Sequence, residues 1–542
     1  MTKLSSLVGF GAGGGSSEDN REFKNWTDFV GQISATGQSV TIGQRTRTVN
    51  GVTYNRQVSS GSFTVPSGVS KVRITCVGAG GAGGCYASTY YGGAGGGGGC
   101  FVSAEYDVTA GETLNITSGT GGASRQDQGY GGNGGTSSVT DAQTGGSRIA
   151  VSAAGGSGGY YSSTVGAGGA SHSASGSNII ASTTVGGHGG SGGGGSPNAF
   201  GFGPEGYGAG GGGAAGSYLG SGGTGATVAQ GGYSYGSGGG GGVGGNGGQG
   251  SHSQGVGSVT SNYPCHGGGG GGTAGHGDNA AYNQLTEFSQ GGAGRFSSNK
   301  SVDFDDGTNE VYGESIVNWS SANSVELSKS INGSRYGDGE ATGPLLYNLS
   351  NGIFRGTNPG TTYINRGSSG PGGSLGQYDM FDTGGGSGTG VPATGTSPKS
   401  FNGVLGRLWG GGGGGAPTQD NTFGHYNHSG GDGGTGGGGG GAGGSRQNYN
   451  SGTLTPATYT SWDWANLAFR TDDSAWNTNG YKINGMGGNG GALGGGGGGV
   501  YYGFAGSGGI GGGGGGGGGH YQGSSGRQRS GMGGPGYVLI EW

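Results

Sequence analysis

A short segment near residue 70 carries the clearest alternation of hydrophobic and polar positions in the chain. Residues 71–77 read Lys-Val-Arg-Ile-Thr-Cys-Val. Apolar side chains at every second position are typical of a β-strand that buries one face. We therefore predict a half-buried strand here. Residues 62–68, Ser-Phe-Thr-Val-Pro-Ser-Gly, are predicted to form a short strand and turn in front of it.

Further strands are predicted downstream of this segment. Residues 100–108 and 113–117 are apolar in alternation and are separated by the turn sequence Thr-Ala-Gly-Glu at 109–112. Two such strands joined by a short turn indicate a β-hairpin. Shorter strands are expected at 136–139 and 148–152.

The C-terminal segment is also predicted to be a strand. Residues 535–542 read Pro-Gly-Tyr-Val-Leu-Ile-Glu-Trp and are too apolar to lie on a protein surface. They are expected to return to the sheet built by residues 62–77. The intervening glycine-rich segments 78–99, 119–135 and 154–533 would then leave the sheet and come back to it, and the β-domain would hold their base.

The N-terminal region has a different pattern. The polar residues 16–20 could cap a short helix that ends at Phe29, with Phe23, Trp26 and Phe29 spaced by three. We interpret residues 1–56 as an attachment or oligomerisation segment.

Composition decides what the long middle of the chain can be. Glycine makes up 162 of 542 residues, whereas ordinary domains contain about 7%. Hydrophobic residues are only 28% of the chain, so a conventional aliphatic core of this length is excluded. The 12 prolines and unbroken runs such as 511–519 exclude collagen. The 27 tyrosines, 16 phenylalanines and 7 tryptophans argue against a flexible linker.

Glycine tracts can be ordered as extended left-handed helices of the polyproline II type. Such strands have three residues per turn and no internal hydrogen bonds, so their N–H and C=O groups point sideways. Packed side by side, they can pair these groups with neighbours, and only glycine is slim enough to be approached from every side. A framing domain must then set the register of the strands.

These patterns predict a mainly β and irregular protein with almost no α-helix. A small antiparallel β-sandwich at 57–153, completed by 534–542, frames a bundle of polyglycine II strands at 154–533. Residues 278–409 are poor in glycine and rich in carboxylates, and we interpret them as a lobe inserted into the bundle.

Charge and apolar run length exclude several classes of partner. The net charge of -5 comes with no cluster of Lys or Arg, which argues against nucleic acid. No apolar run is long enough to insert into a membrane, and the N-terminus does not have the pattern of a secretion signal. Synthesis in the cytoplasm is expected.

Cysteine and carboxylate spacings give no strong metal or cofactor signal. Cys76, Cys85, Cys100 and Cys265 are interpreted as buried thiols rather than disulfides. Half of a metal site at Cys265-His266 and a calcium loop at 303–307 are the weaker alternatives, since neither has the usual ligand spacing. No cofactor and no metal are predicted.

Five stretches together resemble the glycine-rich domains of phage tail fibres and receptor-recognition proteins. They are the opening at 63–69, the strand running into 78–81, the turn at 108–113, Gly-Gly-Thr-Ser-Ser at 134–138 and the closing segment 533–538. The resemblance covers about residues 62–155 and the last ten residues. The chain is also similar to the distal-tip adhesins of T-even-type phages, from which it differs by its greater length and its N-terminal region.

This resemblance implies a virion protein that binds a bacterial surface receptor, either a polysaccharide or an outer-membrane protein. It also implies contacts with other virion proteins through the N-terminus and a homotrimer. A purely structural virion fibre or surface filament is the alternative. A polysaccharide depolymerase is less favoured, because sequence alone does not place two carboxylates face to face, and we expect no enzymatic activity.

Aromatic residues between glycine tracts are the candidate receptor-binding residues. A glycine lattice expels bulky side chains to its ends or rim, where aromatic rings offer large contact areas with polar handles. Many of them could instead plug the bundle or join neighbouring chains. Deleting residues 459–476 is expected to change cell binding without unfolding the bundle. The candidates are Tyr86, Tyr90, Tyr91, Tyr160, Tyr161, Phe200, Tyr207, Trp462, Trp464, Trp476, Tyr501, Tyr502, His520 and Tyr521.

Overall fold

The computed structural model is built from β-strands and laterally bonded glycine tracts. Within the residues it describes, no helix is long and apolar enough to cross a membrane. The described residues are 23–33, 42–85, 92–126, 128–160, 165–175, 208–217, 221–228, 236–243, 245–250, 267–272, 277, 411, 430–434, 436–442, 461–464, 467–470, 486–499, 504–518 and 529–542, together with the backbone of strands at 182–184, 345–348, 353–356, 390–391 and 399–400.

The strands are numbered in chain order. They are β1 (Trp26–Val30), β2 (Thr46–Val49), β3 (Val52–Asn55), β4 (Ser60–Thr64), β5 (Lys71–Val77), β6 (Phe101–Asp107), β7 (Thr113–Thr117), β8 (Ser137–Asp141), β9 (Ala150–Ala153), β10 (His172–Ala174), β11 (Ser182–Thr184), β12 (Leu345–Asn348), β13 (Ile353–Gly356), β14 (Gly390–Val391), β15 (Lys399–Ser400), β16 (Ser461–Asp463), β17 (Ala468–Arg470) and β18 (Tyr537–Glu541).

Two five-stranded antiparallel sheets form the predicted sandwich. The base sheet has the order β1-β18-β5-β6-β11, and the cover sheet has the order β10-β9-β8-β7-β4. The C-terminal strand β18 pairs with β5, with Tyr537 opposite Val77 and Ile540 opposite Ile74. The predicted return of the C-terminus to the strand at 71–77 is therefore confirmed.

The predicted hairpin between residues 100–108 and 113–117 is wrong. Strand β6 pairs with β5 in the base sheet, whereas β7 pairs with β4 and β8 in the cover sheet. The turn at 109–112 therefore crosses from one sheet to the other. Residues 60–64 likewise lie in the cover sheet, apart from the C-terminal strand. Alternation specifies that one face is buried, but not which strand is the neighbour.

The predicted N-terminal helix is also wrong over residues 26–30. These residues form β1, which pairs with β18 so that Phe29 lies opposite Val538. Phe29 packs into the sandwich core and Val30 packs on the opposite face of the base sheet. A strand of the sandwich thus lies within the segment 1–56, whose attachment role stays a prediction. Residues 16–20 lie outside the described residues.

The sandwich core lies between the facing sides of the two sheets. Ile74, Leu114 and Ile116 are buried there. The C-terminal Trp542 closes one edge of the core, with its ring 5.0 Å from that of Phe63 and 6.1 Å from that of Tyr54. The three aromatic rings stabilise the fold by burying apolar surface and by their favourable ring–ring contacts. The last residue of the chain is therefore part of the core.

A buried carboxylate organises the turn between β8 and β9. Asp141 is fully buried and accepts hydrogen bonds from the backbone N–H groups of Thr144 at 2.6 Å and Ile149 at 2.9 Å. Burial by itself raises the pKa of an aspartate, but the hydrogen bonds from Thr144, Ile149 and Arg148 outweigh it and hold the pKa of Asp141 below its ordinary value. The ionised form is thus the one that stabilises the turn.

Replacing Asp141 by asparagine is expected to lower the free energy of unfolding by about 1–3 kcal/mol near neutral pH. The pKa of Asp141 is lower in the folded protein than in the unfolded chain. The ionised carboxylate therefore contributes fully to the free energy of unfolding above the unfolded-chain pKa of about 3.9, and this contribution is lost as the pH falls through the lower folded-state pKa. Urea unfolding of the parent and the asparagine variant measures this difference in stability. A range from about pH 3 to about pH 7 is suitable because a free aspartate has a pKa of about 3.9. A difference that does not shrink at acid pH contradicts this role.

The glycine tracts bond laterally with a period of three residues. In tract 78–85, every third residue, beginning with Gly78, donates its N–H to tract 92–100 at 2.8–2.9 Å. The residues that follow these donate to tract 129–135, and Gly80 and Gly83 donate to tract 529–536. The carbonyl groups of tract 78–85 accept hydrogen bonds from three more tracts, at 119–124, 154–160 and 511–518.

This arrangement is the predicted polyglycine II bundle. Three donor directions and three acceptor directions place six neighbours around one strand, which a threefold extended helix allows and a β-strand does not. Tracts 236–243, 494–499 and 511–518 are also bonded on all sides. The lateral bonds account for the buried backbone groups that a strand of this type leaves unpaired.

Side chains are excluded wherever the tracts approach this closely. A methyl group built on Gly513 would overlap the backbone carbonyl of Gly96, and one built on Gly515 would overlap that of Gly497. At Gly511 the backbone has a φ of +67°, and an added carbon would lie 2.6 Å from the side chain of Val77. Glycine is thus required by packing along the tracts and by conformation at this turn.

Candidate functional site

The bundle has two different ends, and the proximal end is the one joined to the base sheet. Gly78 directly follows β5 and donates to the carbonyl of Cys100, which directly precedes β6. Gly99 donates to the carbonyl of Gly511 at 2.7 Å, where one tract turns into the next. The sheet and the tracts are therefore continuous in backbone and in hydrogen bonding.

A second hydrophobic cluster, which we call the base cluster, seals this junction. The base sheet contributes the face opposite to the sandwich core, and the bundle contributes the few bulky residues that end its tracts. Its members include Val77, Phe101, Tyr537 and Leu539 from the sheet and Ala215, Val243, Leu493, Ile510 and Met532 from the bundle. The base sheet thus lies between two cores.

The hairpin of β16 and β17 belongs to the base cluster. Leu467 and Phe469 are buried, and Trp462 is 9% exposed with its ring 5.0 Å from that of Phe469. Trp464 is partly buried and packs against the same cluster. Two of the candidate receptor-binding residues, Trp462 and Trp464, therefore pack at the junction with the sheet.

This placement corrects the expected outcome of deleting residues 459–476. The deletion would remove Trp462, Leu467 and Phe469, each of which lies in a core. Burying such side chains contributes about 2–3 kcal/mol each to folding. Loss of the folded protein is now expected from this deletion, which makes it unsuitable for separating recognition from stability.

A buried ion pair stands beside this hairpin. The Arg56 guanidinium donates to both carboxylate oxygens of Asp28 at 2.6 Å, and Asp28 is 1% exposed. The Tyr537 hydroxyl lies 3.4 Å from the same carboxylate, and Trp464 covers the guanidinium at 4.8 Å. Burial, and then the Asp28 charge, raise the pKa of Tyr537 well above its ordinary value, so it stays a neutral donor.

The distal end is the opposite end of the same tracts. Cys85 donates to the carbonyl of Gly129 at 3.2 Å, Gly93 donates to Gly517 at 2.7 Å, and Gly210 donates to Gly93 at 3.0 Å. These residues stand at or next to the point where the described part of each tract stops. Described residues of several tracts thus lie side by side at this end.

Most of the candidate aromatic residues belong to segments that join the bundle in this distal row. The described residues that flank their segments are Cys85, Gly92, Tyr160, Gly208, Gly499, Phe504, Gly518 and Arg529. The candidates Tyr86, Tyr90, Tyr91, Tyr161, Phe200, Tyr207, Trp476, Tyr501, Tyr502, His520 and Tyr521 lie outside the described residues. What is established for them is where most of their segments join the bundle.

A pair of stacked tyrosines lies at the distal end. The rings of Tyr130 and the candidate Tyr160 are 3.9 Å apart with an interplanar angle of 13°, and Tyr130 is 55% exposed. The Arg125 side chain donates to the Tyr130 carbonyl at 2.6 Å, which places a cation beside the stack. An exposed planar surface next to a positive charge suits binding of a polar, partly apolar ligand.

Sequence reasoning did not select Tyr130. It lies singly within residues 119–135, which were treated as one glycine segment. The structure shows that this segment is two tracts, with Arg125, Gln126 and Gln128 between them at the distal end. The polar run Ser-Arg-Gln-Asp-Gln at 124–128 is the signal that marks the reversal.

A second aromatic and cation pair lies on the same end. Arg529 stands 5.4 Å from the ring of Phe504, and the backbone N–H of Ala505 donates to the Arg529 carbonyl at 3.0 Å. Phe504 is 6% exposed. This pair therefore supports the residues where two candidate segments join the bundle, and it offers little surface of its own.

The cysteines behave as predicted where they are described. Cys76, Cys85 and Cys100 are buried thiols, as predicted. Cys100 lies 3.8 Å from Nδ1 of His172, but burial raises the pKa of its thiol to about 11. A thiol that stays protonated is a poor nucleophile. Among the described residues, no three metal-ligating side chains come together, and Cys265 lies outside them.

Comparison with known proteins agrees with the glycine-rich character of the chain. Residues 53–296 match a glycine-rich domain family. The match begins in β3 and covers most of the sandwich and the first tracts of the bundle. No relative is found among curated proteins. The glycine-rich character of the chain is therefore shared with a known domain family.

Proposed function

We propose that this protein is a phage tail-fibre or tip adhesin that binds a bacterial surface receptor through segments displayed by its glycine-rich scaffold. The proposal combines the resemblance of its sandwich and closing segments to phage receptor-recognition proteins with the placement of its aromatic residues. It assigns the protein to the virion surface, with no catalytic role.

The observation that carries the proposal is the separation of the two ends of the bundle. Segments with most of the candidate aromatic residues join the bundle in the distal row near Cys85, Tyr160 and Phe504. The opposite end is occupied by the base sheet and its cluster. Variable segments gathered at one end of a rigid scaffold are typical of recognition proteins.

The lattice explains why such a scaffold would suit recognition. Each described interior tract is held laterally by hydrogen bonds at 2.7–3.2 Å to its neighbours, so the distal ends of different tracts keep fixed spacings. Binding that uses a preorganised surface loses less conformational entropy. Segments of many compositions can therefore be carried without changing the frame.

Binding of the labelled full-length protein to a panel of bacterial cells, with polysaccharide breakdown followed in the same samples, tests the proposal. Saturable binding to few strains without breakdown is expected. Breakdown of the polysaccharide would show that the protein is a depolymerase and not only an adhesin. If the protein bound to none of the strains, a purely structural virion component would be favoured.

Changing Tyr130 to alanine is expected to weaken that binding about tenfold, the effect of losing 1.4 kcal/mol of an exposed aromatic contact. Val52 to alanine is the matched control, since Val52 is 50% exposed but lies on the separate two-stranded hairpin of β2 and β3. Both variants should keep the thermal midpoint of the parent. Equal affinity of the two variants for the cells would show that Tyr130 is not part of the receptor-binding surface.

A further inference from the structure

The outer surface of the bundle differs from its interior in one regular way. Among the described tract residues, every exposed position carries a side chain, and each glycine is at least partly covered. In three outer tracts the exposed positions lie three residues apart: Ala167 and Ala170 in 165–170, Ser221 and Thr224 in 221–228, and Asn246 and Gln249 in 245–250.

The spacing of three follows from the helix type. A threefold extended helix returns to the same side after three residues, or about 9 Å. On an outer tract, one row of residues spaced by three therefore faces away from the bundle. The remaining positions face neighbouring tracts and are glycine or small. Interior tracts such as 494–499 and 511–518 have no outward side, and they are unbroken glycine.

Side chains also bond backbone groups along this surface. The Asn246 side-chain oxygen accepts from the N–H of Thr224 at 2.9 Å, and Gln249 donates to the Thr227 hydroxyl at 2.9 Å. Elsewhere on the surface, Asn133 accepts from the N–H of Gly158 at 2.8 Å. All of these side chains fill space, and those of Asn246 and Asn133 also occupy backbone N–H groups that another strand would use.

A lattice of this kind has no intrinsic limit. An outermost glycine strand offers N–H and C=O groups in the same geometry that binds interior strands together, as an edge strand does in a β-sheet. The strand that fits such an edge best is a tract of the same lattice. The matching surface of a second copy, placed flank to flank, supplies one by twofold symmetry.

We propose that the flank formed by residues 221–228 and 245–250 is a capped lattice edge. Its side chains at every third position keep a second copy of this chain from adding its own flank. Their Cβ atoms act by bulk, because a methyl group already overlaps a neighbouring backbone throughout the interior of the lattice. Removing them exposes an edge at which two copies associate.

The test replaces Ser221, Thr224, Thr227, Asn246 and Gln249 together by glycine in the full chain, with the same five positions changed to alanine as the control. The two proteins differ only in five Cβ atoms. Sedimentation over a wide concentration series is expected to show the glycine variant reaching at least about twice the mass of the parent, as one added copy requires. The alanine variant should stay at the parent mass.

Two results would overturn the proposal. One is a glycine variant with the parent's thermal midpoint and the parent's mass at every concentration. The other is equal association of the alanine variant, which would assign the effect to lost polar groups. If the fivefold glycine variant does not fold, Ser221→Gly with Thr224→Gly, compared with the same two positions changed to alanine, decides on the same flank by the same mass measurement.

Discussion

Replacing Gly513 by alanine is expected to destabilise the protein by about 4 kcal/mol or more, or to prevent its folding. Gly513 donates to the carbonyl of Gly213 at 2.8 Å and accepts from the N–H of Gly496 at 2.9 Å. Its added carbon would overlap the carbonyl of Gly96. Relief requires a whole tract to move, which breaks lateral bonds to several neighbours at once. Chemical denaturation and the yield of soluble protein measure the loss.

Gly43→Ala is the control for this substitution. It adds the same carbon where nothing lies within 4 Å, at an exposed position of ordinary φ. The change should be neutral or stabilising by about 0.4–1 kcal/mol through the unfolded chain. If Gly513→Ala were as stable as Gly43→Ala, the close lateral packing of tract 511–518 would be wrong.

Replacing Arg56 by alanine is expected to lower the free energy of unfolding by about 3–5 kcal/mol. The substitution leaves the buried carboxylate of Asp28 without the two hydrogen bonds at 2.6 Å that compensate its charge. It also removes the cation beneath the Trp464 ring. Because Asp28 lies on β1 and Trp464 on the β16–β17 hairpin side, the loss reaches both the sheet and the base cluster. Equilibrium unfolding in denaturant measures it.

The double change of Arg56→Met with Asp28→Leu separates charge from packing. A hydrophobic pair carries no charge that must be compensated, so the double variant should recover part of the stability lost in Arg56→Ala, the remainder being the cost of the Tyr537 hydroxyl that loses its acceptor. A double variant no more stable than Arg56→Ala would show that the guanidinium acts through its other contacts. An effect of Arg56→Ala below about 1 kcal/mol would contradict burial of the pair.

A polyglycine lattice also has to solve a register problem. Since the strands repeat every three residues, sliding one tract by three preserves every lateral bond between glycines. Side chains break this degeneracy. Asp432 accepts from the N–H of Asn489 at 2.7 Å, Asn489 accepts from that of Ser507 at 3.0 Å, and Ser507 accepts from that of Met532 at 3.2 Å. This polar row locks four tracts in one register.

The candidate site shows where sequence reasoning reached its limit. Aromatic residues between glycine tracts could be recognised from the sequence, because bulky side chains do not fit inside the lattice. Trp462 and Trp464 follow the same local pattern as Tyr160, yet they pack against the base sheet whereas Tyr160 lies at the distal end. Which end a segment reaches depends on the direction and length of its tracts, which are properties of the assembled bundle.

Elements whose causes are local could be predicted from the order of the amino acids. Alternating apolar residues predicted β5 and β7, a continuous apolar run predicted β18, and the steric demand for glycine predicted threefold extended tracts. The assembled fold was needed to assign β6 and β7 to different sheets, to show residues 26–30 as a strand, and to establish which tracts are neighbours. The physical reason is that pairing is chosen by distant partners, and glycine strands offer the same groups to every partner until a side chain distinguishes them.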